Sequence, residues 1–146
     1  MVEKIIIRKA TKEDAGIIYE FVNELEDTVF DNELFHQYYE ENLRSVKNHY
    51  LVALIDSTVV GFLSCHGQVL LHHSGLVYEI QELFVDKHYR NKGIGRKLIS
   101  GLQAILLKDD YKSLEVACSF KRKDTHRFYI ANGFAQTHYK FTREKM

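Results

Sequence analysis

Apolar residues recur along this chain in two rhythms, and the switches between them mark its elements. Ile5-Ile-Ile7 is a short apolar run suited to a buried strand. Thr11-Lys-Glu-Asp14 then offers an N-cap and a charged first turn. Ile17, Ile18, Phe21, Val22 and Leu25 follow at helical spacing. Asp31 reads as a second N-cap, before a helix lined by Leu34, Phe35, Tyr38, Tyr39 and Leu43. Strand rhythm takes over in Tyr50–Ile55 and Thr58–Leu63, the second running on toward Val69, with Asp56-Ser57 as the hairpin turn between them. Leu71-His-His-Ser-Gly75 is a break, and Leu76–Val85 is the next strand. Ile94, Leu98, Ile99, Leu102, Ile105 and Leu106 return to helical spacing. Ser113–Cys118 predicts a fifth buried strand. Asp124 is placed to cap a helix over Thr125–Asn132, Gly133 suits the left-handed position ending it, and Phe134–Phe141 alternates as a final strand. The order is β-α-α-β-β-β-α-β-α-β, which by pattern alone means α/β or α+β.

Between the fourth strand and third helix lies Arg90-Asn-Lys-Gly93-Ile-Gly95-Arg96. Glycines take away the Cβ atoms that keep a ligand off the backbone. The first turn of a helix presents unpaired N–H groups and the positive end of its dipole. Together they make an anion site suited to phosphate, with Arg90, Lys92, Arg96 and Lys97 adding charge. A P-loop would need G-x-x-x-x-G-K-[ST], which is absent, and Leu98 stands where a dinucleotide fingerprint needs its third glycine.

Composition narrows the field. A chain of 146 residues predicts one domain over 1–146, and 45% hydrophobic with 12% aromatic content supplies a core. Lys+Arg and Asp+Glu both total 20, which argues against bulk nucleic-acid binding and makes the basic loop a local feature. Cys65 and Cys118 form no CxxC pair, so reduced thiols in a cytoplasmic protein are the plain reading. Met1-Val-Glu-Lys has no signal-peptide pattern, and no apolar segment approaches a membrane span. The chain contains no proline and no low-complexity tract, so nothing marks a linker.

Arg-x-x-Gly-x-Gly between a strand and a helix resembles the coenzyme A pyrophosphate loop of the GNAT superfamily of N-acetyltransferases. A second signature, Phe128-Tyr129-x-x-x-Gly133-Phe134, follows in the order that superfamily shows. The resemblance covers nearly the whole chain. It implies a mixed sheet of about six to seven strands, helices on both faces, and fourth and fifth strands that splay around the acetylated arm of acetyl-CoA. It also implies that Leu83, Phe84 and Val85 pair with the pantetheine amides, while Arg90, Asn91, Lys92, Gly93, Ile94, Gly95 and Arg96 hold the diphosphate. Superfamily members often pair as dimers, which leaves a homodimer open here.

Acetyl transfer needs a free amine, a polarised thioester and a protonated leaving thiolate. An alkylammonium with pKa ~10.4 is only about one part in a thousand neutral near pH 7, so a base is required. Glu79 occupies the strand position where the histone-acetylating branch keeps its glutamate base. By alternation it would share a face with Gln81, Leu83 and Val85, opposite Ile80, Glu82 and Phe84. A carboxylate among apolar residues holds its proton more tightly, which suits that role. Glu82 is the alternative base, and a salt-bridged or solvated glutamate is the structural one. Tyr129 matches the superfamily tyrosine that protonates the thiolate; a core tyrosine beside Phe128 is its plainer reading. The superfamily's asparagine before the Phe-Tyr pair is replaced by Arg122. That puts one coenzyme contact in doubt and brings Lys121, Arg122 and Lys123 into consideration for an acidic group of coenzyme or substrate; a solvated charge run is the plainer reading, at least for Lys123.

Phe30-Asp31, His66, Leu71-His72-His73, Glu79–Leu83 and Lys121–Tyr129 together look like the aminoalkylphosphonate N-acetyltransferases. That family acetylates small phosphonate-bearing amines and is associated with a divalent metal. Asp31, His72, His73 and Arg127 are therefore substrate candidates. His66, His72, His73, Asp31 and Glu79 could supply metal ligands, although adjacent histidines rarely face one site, and exposed histidines are the plainer reading. Other amines, including polyamines, aminoglycosides and peptides, stay open, as does a non-catalytic coenzyme A-binding module on the same fold.

Overall fold

Asp56 and Ser57 take left-handed backbone angles, φ 48° and 66°, and turn the chain tightly between β2 (Asn48–Ile55) and β3 (Thr58–Leu70). These strands lie inside a sheet ordered β1-β2-β3-β4-β5, where β1 is Ile5–Lys9, β4 is Gly75–Val85 and β5 is Tyr111–Val116. Neighbours are antiparallel except β4 and β5, which run parallel because α3 (Ile94–Leu106) carries the chain back between them. Two helices, α1 (Ala15–Glu26) and α2 (Asn32–Leu43), connect β1 to β2, and α4 (Lys123–Ala131) follows β5. The computed structural model describes residues 4–145, and the statements here concern those residues.

The sheet divides two cores. Leu51, Leu63, Cys65, Tyr78 and Ile80 face α3 with its Ile94, Leu98 and Leu102, and Tyr129 of α4 joins this side. Tyr50, Val52, Phe62 and Phe84 face α1 and α2, meeting Ile18, Phe21 and Tyr39. Alternation on β2 and β3 serves both faces at once, as a sheet covered on each side requires. The entry into α1 is fixed by Asp14, which is buried. It accepts from the Arg8 guanidinium at 2.8 Å and from the Thr11 N–H at 2.7 Å.

Four expectations need correcting. The sheet has five strands among the described residues, fewer than the resemblance implied. Phe134–Phe141 forms no strand: Phe134 packs onto the core, but Tyr139 and Phe141 are 87% and 92% exposed. Pleating that segment buries no apolar face, so alternation alone does not order it. On α2 the buried stripe is narrower than expected, with Phe35, Tyr39 and Leu43 inside but Leu34 and Tyr38 exposed. Asp124 falls in the first turn of α4, where Arg122 takes the cap position. Gly133 has the left-handed angle expected of it, φ 92°, and Phe134 N–H donates back to the Tyr129 carbonyl at 3.0 Å.

Candidate active site

β5 pairs with β4 only from Leu76 to Ile80. Beyond that point β4 continues against β3 alone, with Leu83, Phe84 and Val85 opposite Leu63, Phe62 and Gly61. The two parallel strands thus part company at Ile80 and Val116, and one edge of Leu83–Val85 has no strand beside it among the described residues. At the end of β4 the chain turns through a short helical turn, Lys87–Tyr89, in which the His88 N–H donates to Asp86 Oδ1 at 2.9 Å. Arg90 folds back, its Nε donating to the Val85 carbonyl at 3.1 Å and its guanidinium lying over the Phe84 ring. Asn91 and Gly93 are both left-handed, φ 64° and 79°.

Gly93 caps α3 without any side-chain hydrogen bond, and the first helical bond is Lys97 N–H to the Gly93 carbonyl, 3.1 Å. The N–H groups of Ile94, Gly95 and Arg96 therefore have no helical acceptor. A Cβ on Gly93 would meet nothing within 4 Å, so its glycine serves the backbone angle and leaves the approach open. Gly95 has a packing role as well. A Cβ there would come within 3.0 Å of the Phe128 ring, so this glycine seats α4 on the first turn of α3. A cavity of about 530 Å³ lies on the β1 side of the same turn, lined by Ile5, Ile7, Gly93, Arg96, Lys97 and Ser100.

The middle of β4 departs from simple alternation. Ser64 stands opposite Glu82, but Cys65 stands opposite Ile80, so Gln81 is an extra residue on the β4 side. This bulge reverses the faces expected downstream of it. Glu79 does not share a face with Leu83 and Val85; those residues pack on the α3 side with Ile80. Glu79 lies with Glu82 and Phe84 on the α1 side, opposite His66, Ser64 and Phe62. Both candidate carboxylates are thus delivered to one face.

Their surroundings differ. Glu79 accepts from Gln81 Nε2 at 3.0 Å and neighbours His66 across the ladder and Glu115 on β5. Glu82 accepts from the hydroxyl of Ser64, which is 0% exposed, and its own N–H donates back to that oxygen at 2.9 Å. Burial holds the Glu82 proton more tightly than in an ordinary glutamate; the charge of Glu26 adds to this and the Ser64 bond opposes it. The tight hold expected of the base is therefore found at Glu82. Asn42 Nδ2 donates to the Tyr50 hydroxyl at 3.0 Å, leaving that hydroxyl's proton for His66 Nε2 at 2.8 Å. The bond favours neutral His66 with its proton on Nδ1. Burial lowers its pKa in the same sense, while Glu79 pulls the other way.

Tyr129 is 8% exposed, edge-on to Phe128 and Phe134, and its hydroxyl has no hydrogen-bond partner among the described residues. Burial pushes its phenol up to about 12, with Cys118 adding to the rise and Arg122 opposing it. The remaining candidates are not gathered here. Asp31 caps α2, accepting from Leu34 N–H at 2.9 Å. Arg127 is paired with Asp124 on the exposed face of α4. The His72 and His73 rings lie 4.4 Å apart and tilted by 60° in the turn before β4, where His73 Nε2 lies 3.7 Å from Glu115. Among the described residues no three His, Cys, Asp or Glu side chains are arranged to hold a metal ion, so the proposed ligands do not fit one together. Ser64, Tyr50 and Asn42 belong to the site but carried no motif. Only a correct strand register, bulge included, places them beside the carboxylates.

Strands that part beside a loop of free helix N–H groups, with carboxylates on one strand and a phenol after the next, define an acyltransferase architecture. The chain belongs to the acetyltransferase (GNAT) family, whose model matches residues 17–134, and it is an N-acetyltransferase. It is 35% identical over 137 residues to the aminoalkylphosphonate N-acetyltransferase of Salmonella typhimurium, spanning 94% of this chain and 89% of that one. Its fold is similar to that of an aminoglycoside N-acetyltransferase solved in complex with CoA, with TM-score 0.87 at 19% identity over 98% of this chain and 95% of the other. Glucosamine-6-phosphate N-acetyltransferase from Arabidopsis thaliana superposes with TM-score 0.80 at 22% identity, covering 97% and 99%. No helix among the described residues is long and apolar enough to cross a membrane.

Proposed function

We propose that this enzyme transfers the acetyl group of acetyl-CoA to the primary amine of a small aminoalkylphosphonate. The observation that carries the reading is the bulge at Gln81, which sets two carboxylates on one face where β4 and β5 part. The relative from Salmonella typhimurium supports the substrate class. The backbone N–H groups of Ile94, Gly95 and Arg96 grip the diphosphate, and the free edge of Leu83–Val85 pairs with the pantetheine amides. The cavity beside Arg96 and Lys97 suits the more distant, charged part of the same molecule.

Glu79 takes the proton from the substrate ammonium. The freed nitrogen forms the new C–N bond as the C–S bond breaks, and the Tyr129 hydroxyl donates to the departing sulfur. A second reading puts Glu82 in the role of base, favoured by its burial and its link to Ser64. No step is assigned to a metal. The test is thiol release from acetyl-CoA with 2-aminoethylphosphonate, set against polyamine, aminoglycoside and peptide amines, with and without a chelator. Selective turnover of the phosphonate supports the reading. Turnover confined to the other amines removes the substrate assignment and leaves the enzyme class standing.

A further inference from the structure

Arg122 has no part in the reaction as described, yet it is not a loose surface charge. Its Nη2 donates to the Leu25 carbonyl at 3.1 Å, across 97 residues of sequence. Leu25 lies in the last turn of α1, beside Glu26, and that turn has no basic residue of its own. Carbonyls at a helix C-terminus lack helical donors and form a negative pole that fixes a cation. This bond uses one of five N–H donors on the guanidinium. The same cation lies near the Tyr129 phenol and Cys118, favouring the ionised form of each. The end of α1 also sets Glu26 near Glu82. A negative wall and a positive one therefore meet at one helix end: Glu26 and Glu82 on the first, Arg122 beside Tyr129 on the second.

We infer that Arg122 is the specificity-determining residue for the amine, its guanidinium holding a phosphonate or phosphate on the same small molecule whose ammonium meets the β4 carboxylates. This rests on the acetyl-transfer reading of the site. A tetrahedral dianion offers paired oxygens to a planar fork, a match that an ammonium cannot reproduce. A polycationic amine meets repulsion at Arg122, and an uncharged one gains nothing there. The nearby Arg127 is held by Asp124 instead.

The test compares Arg122→Gln and Arg122→Lys with the unaltered enzyme, using 2-aminoethylphosphonate and n-propylamine as acceptors and calorimetry for CoA affinity. For the phosphonate, kcat/KM should fall about 100-fold with Gln and about tenfold with Lys, mostly through KM. The n-propylamine value and the CoA Kd should each stay within about threefold. Equal losses with both amines would overturn the inference, leaving Arg122 as a tie between α4 and α1. Weaker CoA binding with unchanged amine preference would also overturn it, making Arg122 a coenzyme contact. If the unaltered enzyme acetylates n-propylamine but never the phosphonate, the substrate reading itself fails and takes this inference with it.

Discussion

The loop before α3 and the bulge in β4 would serve the proposed reaction through different parts of the chain. The loop acts through backbone: two left-handed residues and a helix start without a capping side chain leave three N–H groups unpaired. The strand acts through side chains, and one extra residue decides which face they reach. Backbone sites depend on where glycine is tolerated, so they leave a local motif. Side-chain sites depend on register with a neighbouring strand, so they do not. Breaking each region should therefore produce a different failure, binding in one case and turnover in the other.

The largest effect belongs to the strand. Removing the base should lower kcat by about 10³-fold, in the range general-base catalysis supplies. Glu79→Gln and Glu82→Gln together decide which carboxylate that is. The true base variant loses the rise in rate with pH on the acid side, and the other keeps it. Glu82→Gln carries a second signature. A folded-state pKa raised by burial contributes stability below the ordinary glutamate range and loses it as pH rises through the folded value. At neutral pH the variant should therefore melt higher, by roughly 2–4 °C, with the difference shrinking in acid. Calorimetry across pH checks it, and a lower melting point at neutral pH would mean that the carboxylate is not strained by burial.

Tyr129→Phe comes next. It should reduce kcat by about 10²-fold while leaving the CoA Kd within about twofold, because the hydroxyl has no partner to lose among the described residues. An unchanged kcat would make Tyr129 only a packing residue.

The two loop glycines separate approach from packing. Gly95→Ala drives a methyl against Phe128 and should destabilise the fold by roughly 1–3 kcal/mol, read as a lower denaturation midpoint. Gly93→Ala meets no atom but forces an L side chain to φ 79°, at a cost of roughly 1 kcal/mol. Its main readout should be weaker CoA binding with kcat nearly retained. The reverse assignment of the two phenotypes would show that Gly95, not Gly93, faces the ligand.

This contrast also explains what was legible beforehand. Element order through α4, the Asp56-Ser57 turn, the helix end at Gly133 and the anion loop all follow from residue type and local spacing. The bulge at Gln81 does not, because neither glycine nor a change of rhythm announces it, and so the strand faces were assigned wrongly after Ile80. Phe134–Phe141 failed for a related reason: its alternation is present, but no apolar surface meets it. The packing demand on Gly95 is not legible in its loop, since its steric partner Phe128 lies on another helix. Arg127 and Asp31 find local partners within three residues, which residue type alone does not reveal.

The smallest effect probes register directly. Glu79 stands opposite His66, and its charge raises the imidazole's proton affinity against the lowering imposed by burial. Glu79→Gln should therefore move the His66 titration, followed by NMR of the ring protons, to lower pH. Glu82→Gln should leave it nearly in place, because Glu82 lies opposite Ser64 rather than His66. Without the extra residue at Gln81, Glu82 and Glu79 would lie on opposite faces of the sheet, and only one of them could reach the face of His66. A His66 titration that follows Glu82 instead would mean that the strand pairs without its bulge, and the shared face of the two carboxylates would be lost.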